Sequence, residues 1–151
     1  MVAVGETRSP FVSRSKADFR VLRESLGLSQ AWVARRLKVS RATVVAWEDP
    51  NVFYPPRREA WELLEGLWAL ADARARSIVD MALSAARVAR ERGVEPAPLL
   101  LSYWRSKAQW SRVHDGHGGD WLAENPAVRM AADRLAVLGV PCSTVFAEDR
   151  P

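Results

Sequence analysis

The segment Leu28–Glu48, LSQAWVARRLKVSRATVVAWE, constrains the fold more tightly than any other stretch of the chain. Ser29 and Ser40 are hydroxyl residues of the kind that cap helix N-termini. After Ser29, Val33 and Leu37 sit four apart and share one face of a first helix. Lys38 and Val39 break that period. After Ser40, Val44 and Trp47 continue an inward face on a second helix. Two capped helices this close in sequence can only cross steeply around a tight turn. Ala34 falls where the second helix passes the first, and its small side chain leaves room. Val33, Leu37, Val39, Val44 and Trp47 supply a shared core, which leaves Arg41, Ala42, Val45 and part of Ala46 facing outward.

From about Asp18 to Leu70, roughly a third of the chain, the sequence resembles the Cro/C1 (Xre-type) family of helix-turn-helix DNA-binding domains. The residues that carry the resemblance are Leu22, Arg23, Gly27, Leu28, Ser29, Gln30, Ala34, Leu37, Val39, Ser40, Thr43, Val44, Trp47 and Glu48. It implies a five-helix bundle with the second helix of the pair lying in the major groove. Two departures stand out. Lys38 occupies the turn position where the family usually has Gly, and a left-handed backbone there costs a residue with a Cβ about 1 kcal/mol. Asp49, Pro50 and Asn51 replace the usual Gly after the recognition helix.

The resemblance also implies roles for particular residues. Arg41, at the start of the recognition helix, has the fork geometry to pair with guanine O6 and N7. Ala42 and Val45 offer apolar contact to a thymine methyl, and Thr43 can bond a base edge or a phosphate. Gln30 sits at a helix N-terminus, where side chain and backbone N–H together grip a phosphate. Ser40 caps the recognition helix and is a further phosphate candidate. Arg35 and Arg36 lie on the outer side of the preceding helix, with Arg35 the phosphate candidate of the two. Asn51, Arg57 and Arg58 belong to the loop and helix start that run along the DNA backbone in the family.

Charge is placed to suit that reading. Residues 1–60 hold 11 Lys+Arg against 6 Asp+Glu, net +5, and residues 61–151 hold 11 against 12, net −1. The basic excess therefore falls on the part that resembles a DNA-binding domain. Arg outnumbers Lys 19 to 3, a usage that suits a GC-rich bacterial or phage genome. No run of about 18 uncharged apolar residues is present, so no membrane span is expected. The N-terminal MVAVGETRSPF lacks the apolar core of a secretory signal. A single cysteine, Cys142, excludes an internal disulfide framework and suits a reducing cytoplasm.

Read in order, residues 1–14 form a flexible arm carrying Arg8 and Arg14, suited to lie in a minor groove or to have no role. Ser15-Lys16-Ala17-Asp18 forms a capping box, with Asp in place of Glu, opening a first helix. Phe19, Leu22 and Leu26 line its buried face and Gly27 ends it. The loop DPNVFYPP (49–56) resists helix formation through its prolines, and Phe53 and Tyr54 are expected to pack on the core rather than to stack on bases. From Arg57 to Arg92 no proline intervenes. Trp61, Leu64, Trp68, Ala71, Ala75, Ile78, Ala82, Ala85 and Ala89 follow a helical period. The first part should complete the five-helix bundle. The Ala-rich remainder is either a separate helix or an extension, and serves as connector and as a surface for pairing or internal packing. Gly93 caps it, and Pro96 and Pro98 end it.

Beyond Pro98 the pattern changes to a small α+β unit. Leu99–Trp104 reads as a strand, and Ser106 caps a helix to about Val113. Asn125-Pro126 reads as a helix start, with Val128, Ala131, Ala132, Leu135 and Leu138 as its buried stripe and Gly139 as its stop. Val140–Phe146 reads as a second strand. The fold expected is thus mainly α: arm 1–14, helix-turn-helix domain 15–71, connecting helix 72–93 and small α+β domain 94–151. The loop HDGHGGD (114–120) holds two His and two Asp but no further ligand cluster to make a metal site. Trp104, Trp110 and Trp121 are core residues or the lining of a ligand pocket. No catalytic constellation is present: there is no nucleophile elbow, no phosphate-cradling glycine loop and no paired cysteine. The chain is expected to be a cytoplasmic, non-enzymatic repressor without cofactor or metal, binding double-stranded DNA as a homodimer. Residues 94–151 would serve self-association, a second DNA contact or partner binding, in a phage immunity repressor or a chromosomal regulator. The rival reading is an antitoxin whose residues 94–151 bind a toxin while the helix-turn-helix autoregulates, and a third is a small enzyme using the His loop.

Overall fold

The computed structural model describes residues 9–114 and 121–149. The architecture is mainly helical, with one two-stranded parallel sheet among the described residues. The chain divides into two compact units, Met1–Leu70 and Ala71–Pro151.

The first unit is built from helices whose ends are set locally. Helix α1 spans Lys16–Ser25 and opens with the capping box: Asp18 N donates to Ser15 Oγ at 3.0 Å, and Ser15 N donates to Asp18 Oδ2 at 3.0 Å. The Ser15 N–H holds the exposed Asp18 carboxyl below its ordinary titration range. A depressed carboxylate stabilises the fold above its unfolded pKa and ceases to do so as pH falls through the folded value, so the box weakens only in acid. Gly27 closes the helix with φ 68°. Helix α2 spans Gln30–Leu37, with Ser29 Oγ accepting from Trp32 N at 3.0 Å. Helix α3 spans Arg41–Glu48, with Ser40 Oγ accepting from Thr43 N at 3.2 Å. Between them Lys38 takes the left-handed conformation, φ 57° and ψ 43°, and is the one non-glycine residue with positive φ among the described residues. The turn closes because Val39 N donates to Ala34 O at 3.0 Å.

Helix α4 spans Arg58–Glu91 in a single run of 34 residues. The first unit buries Phe19, Leu22, Leu26, Leu28, Val33, Ala34, Val44, Trp47, Ala60, Trp61 and Leu64. Phe19 is its hub, meeting Trp47 edge-on at 5.9 Å and Trp61 edge-on at 5.3 Å. Three expectations change here. The described residues of this unit form four helices and not five, because the residues expected to complete the bundle continue as α4. Arg14 is not part of a free arm: its Nε lies 2.9 Å from Glu65 Oε1 and its guanidinium stands 5.6 Å over the Trp61 ring. Arg8 lies outside the described residues. Phe53 and Tyr54 do not pack on the core; both are exposed, because the loop 49–56 turns outward between α3 and α4.

In the second unit, strands β1 (Leu99–Tyr103) and β2 (Cys142–Phe146) pair in parallel, with Leu99 opposite Cys142 and Tyr103 opposite Phe146. Parallel pairing needs a long crossover, supplied by helices α5 (Lys107–His114) and α6 (Trp121–Val137). Ala75, Val79 and Ala82 of α4 pack with Leu101, Val128, Ala131, Leu135 and Val140. Ala71 packs with Ala123 and Ala127, small residues on both sides that allow close approach. Asp72 is buried and neutralised by Arg76 at 3.0 Å and Arg134 at 2.6 Å.

Asn125-Pro126 is not the start of α6. The helix begins at Trp121 and Pro126 lies buried inside it. The Asn125 side chain is engaged elsewhere, accepting from Trp104 N at 3.0 Å and donating to Trp104 O at 2.7 Å. It therefore ties α6 to the end of β1 and caps nothing. Leu138, counted in the buried stripe, is 55% exposed, because α6 has ended and the chain turns at Gly139 (φ 70°). Ala85 is also exposed, and Ala86 takes the inward position beside Ala82.

Lys38 generates a direct test of the turn. Lys38→Gly removes the Cβ from a left-handed residue and should stabilise the first unit by about 1 kcal/mol. Urea unfolding of the two proteins checks it; equal or lower stability of the glycine variant would show that the turn carries no such strain.

Candidate nucleic-acid interface

Helix α3 buries Val44 and Trp47 and thereby fixes what it exposes. Arg41, Ala42 and Val45 are all exposed and share one face by helical spacing. Thr43 is half-buried, and its hydroxyl is 2.9 Å from Ser40 Oγ, so both side chains serve the helix start. Gln30, the first residue of α2, lies beside Arg41: the two line one recess together with Arg20, Arg23, Ser29 and Ala31. The structure thus brings the residue proposed to read bases and a residue proposed to grip phosphate to a single concave polar site.

Arg23 organises that recess. Its Nε donates to Glu48 Oε2 and its Nη2 to Glu48 Oε1, each at 2.7 Å, while Nη1 donates to Leu28 O at 2.8 Å. The side chains are 9% and 3% exposed. Gln30 Nε2 reaches the same Glu48 Oε1 at 3.5 Å. One bidentate pair therefore joins α1, the lead-in to α2 and the last residue of α3. Sequence reasoning placed Arg23 and Glu48 in a family pattern without pairing them, and it missed Arg20 as a neighbour of Gln30. The signal was the presence of one buried-type cation and one anion at matching helix positions, which only the fold brings together.

Most acidic side chains of this unit are engaged; the exposed Glu59 is the glutamate left without a partner among the described residues. Glu24 is held by Arg20 at 2.8 Å, Glu48 by Arg23, Glu62 by Arg58 at 2.8 Å and Glu65 by Arg14. Asp18 serves the capping box, and Asp49 Oδ1 accepts from Asn51 N at 2.9 Å. The Arg20 hydrogen bond lowers the Glu24 titration, and Glu24 raises that of Arg20. Among the described residues of this unit, Arg35, Arg36, Lys38, Arg41 and Arg57 are left with neither an ion pair nor a side-chain hydrogen bond. Four of these five stand between residues 35 and 41, on the segment that leads into the exposed face of α3. Such an arrangement offers uncompensated positive charge to an anionic polymer.

The remaining phosphate candidates divide. Arg57 is exposed just before α4, with its carbonyl accepting from Ala60 N at 3.0 Å, and borders a recess with Leu37, Val39, Trp47, Ala60 and the carboxylate-bearing Glu59. Asn51 is exposed, and its side chain has no hydrogen-bond partner among the described residues. Arg58 is engaged by Glu62 one turn along its own helix, so it is not among the free cations. The structure also places Lys16, not singled out from sequence, at the end of α3. Its Nζ donates to Ala46 O at 2.8 Å and to Asp49 O at 2.9 Å, which fixes the root of the loop 49–56.

In the second unit, Trp110 is buried and Trp104 and Trp121 are half-buried. His114 stacks on Trp110 at 4.3 Å, and its Nδ1 lies 2.8 Å from the Trp110 carbonyl. Trp104, Gln109, Arg112, Val113, Ala147 and Glu148 border a recess of about 200 Å³, smaller than the few hundred Å³ of ordinary small-molecule sites. The rest of the HDGHGGD loop lies outside the described residues. Among the described residues no group of three His, Cys, Asp or Glu is placed to hold a metal ion, and no helix is long and apolar enough to cross a membrane. Compared with known protein families, the chain matches none, and no curated protein is a significant match to it.

The buried pair makes a sharp prediction. Arg23→Ala leaves Glu48 buried and uncompensated, and should destabilise the first unit by about 3–5 kcal/mol. Replacing both partners together, Arg23→Met with Glu48→Leu, should recover most of that loss in chemical unfolding. If the double variant is no more stable than Arg23→Ala, the two groups are not coupled.

Proposed function

We propose that this chain is a sequence-specific DNA-binding transcriptional regulator of the Cro/C1 type, acting as a repressor by occupying its operator. The observation that carries the reading is the sorting of charge around α3. Glu24, Glu48, Glu62 and Glu65 are paired with Arg20, Arg23, Arg58 and Arg14, which leaves Glu59 as the exposed, unpaired glutamate among the described residues of this unit, while Arg41 and its neighbours stay free beside an exposed, partly apolar helix face. A helix with that face enters a major groove: Arg41 pairs with a guanine, and Ala42 and Val45 meet thymine methyls. Gln30, Arg35 and Arg57 hold phosphates and set the register. Ser40 acts through the helix start, and Thr43 supplies packing there. Occupying a promoter in this way excludes polymerase.

One α3-sized helix reads few base pairs, so the proposal includes a homodimer held by residues beyond Leu70 and half-sites about 34–36 Å apart. The exposed Val137 and Leu138 next to Val79 supply apolar surface in that region. The test is selection of bound duplexes from a random pool, followed by comparison of variants. Selection should return a palindromic sequence. Arg41→Ala should cost about 1–3 kcal/mol on it and relax preference at one base pair, with binding to random DNA largely retained. Arg57→Ala should weaken both and lower the salt slope by about one unit. Equal loss on selected and random DNA for Arg41→Ala would contradict its role in reading bases.

A further inference from the structure

Strands β1 and β2 make up the one sheet among the described residues, and parallel strands ordinarily belong to larger, covered sheets. The register fixes which backbone groups the pair uses. Leu99 lies opposite Cys142, and Leu99 N donates to Pro141 O at 3.0 Å. Alternate residues of a strand bond to a given parallel neighbour, so Ser143 and Val145 turn their N–H and C=O groups toward β1. Cys142, Thr144 and Phe146 turn theirs the other way. Among the described residues, the backbone groups of Cys142 and Thr144 have no partner on that side. Ser143, Thr144 and Phe146 are exposed. An open strand edge is normally blunted by charge, proline or a bulge. Residues 138–147, LGVPCSTVFA, carry no charge, and their one proline precedes the strand.

This edge is complementary to itself. Turned antiparallel about a two-fold axis at Thr144, every outward residue meets an outward residue. Thr144 exchanges both backbone bonds with the partner's Thr144, and Cys142 O accepts from the partner's Phe146 N. The side chains also match, with Cys142 opposite the partner's Phe146 and Ser143 opposite the partner's Val145, a small residue against a large one each time. The Phe146 ring, 45% exposed with the Arg105 guanidinium 5.8 Å from its centre, thereby gains a cover. Charge selects the direction. Exposed Glu148 and Asp149 follow the strand. Parallel self-pairing would set the carboxylates of both copies side by side, whereas antiparallel pairing sends them to opposite ends, beside the uncharged Gly139 and Val140 of the other copy. We propose that two copies of this chain associate through the β2 edge, paired antiparallel about Thr144, so that two strands from each build one four-stranded sheet. This rests on the reading of the chain as a homodimer and names the segment that holds it.

The experiment uses the full-length chain without DNA. Light scattering over a dilution series measures association, and amide hydrogen exchange reports on the edge. The wild type should be a dimer whose Cys142, Thr144 and Phe146 amides are protected and lose that protection on dilution. Thr144→Pro removes an N–H that β1 does not use, so the circular dichroism should be unchanged while association weakens on the order of tenfold or more. Thr144→Glu and Thr144→Lys should each weaken association about fivefold, because like charges then face one another across the axis, and an equimolar mixture of the two should restore it. Wild-type association of both charged variants would overturn the proposal. So would a dimer whose three edge amides exchange as freely as those of Thr144→Pro, a result that leaves the homodimer reading intact and assigns it to another surface. A chain that is monomeric at every concentration would also overturn it, and a single copy on the selected duplex would then end the homodimer reading as well.

Discussion

The Arg23–Glu48 pair is the interaction on which the first unit's geometry depends. Helices α2 and α3 are eight residues each, too short to persist in water unaided. Apolar burial around Phe19 holds them near one another without fixing their orientation, since hydrophobic attraction has no direction. A guanidinium that engages both oxygens of one carboxylate, with a third bond to the Leu28 carbonyl, adds that direction. It sets where α3 ends relative to α1 and where α2 begins. Gln30 and Arg41 then arrive at one recess because the backbone beneath them is fixed. Such a pair adds little net stability over an apolar replacement, so its value lies in orientation.

The second unit solves a different problem. Two parallel strands make a marginal sheet by themselves, and this one is backed by α6 and the later part of α4 through residues as small as Ala75, Ala82 and Ala131. Asn125 binds both backbone groups of Trp104 and so anchors the crossover at the end of β1. Small side chains on α4 thus already serve internal packing. Apolar surface of this unit stays exposed at Val137, which is 88% exposed, and at Leu138.

What the sequence revealed follows from how local each cause is. Ser15, Ser29 and Ser40 cap helices because their hydroxyls reach backbone N–H groups three residues on, and no distant residue is needed. Gly27, Gly93 and Gly139 end helices in the left-handed region for the same reason. Lys38 was legible as the strained turn residue because it stands where the resembled family usually has Gly, and it does take φ 57°. Asn125-Pro126 misled because a distant backbone, that of Trp104, claimed the side chain that looked like a cap. Phe53 misled because its composition says core while the loop's prolines and the Lys16 clamp say otherwise, and that clamp spans more than thirty residues. On the candidate site, the outward face of α3 was readable from the inward positions of Val44 and Trp47. The partition of the arginines into paired and free was not. Arg58 and Arg57 read alike in the sequence, and only the fold shows that Glu62 lies beside Arg58.

The central claim is that the exposed face of α3 and the free cations around it meet DNA. The most direct measurement is a titration of isotopically labelled full-length chain with a duplex selected from a random pool, followed through backbone amide shifts. The account predicts the largest changes at Gln30, Arg41, Ala42 and Val45, with a second group across residues 51–58. Shifts confined to residues 71–151, or none at saturating duplex, would contradict it.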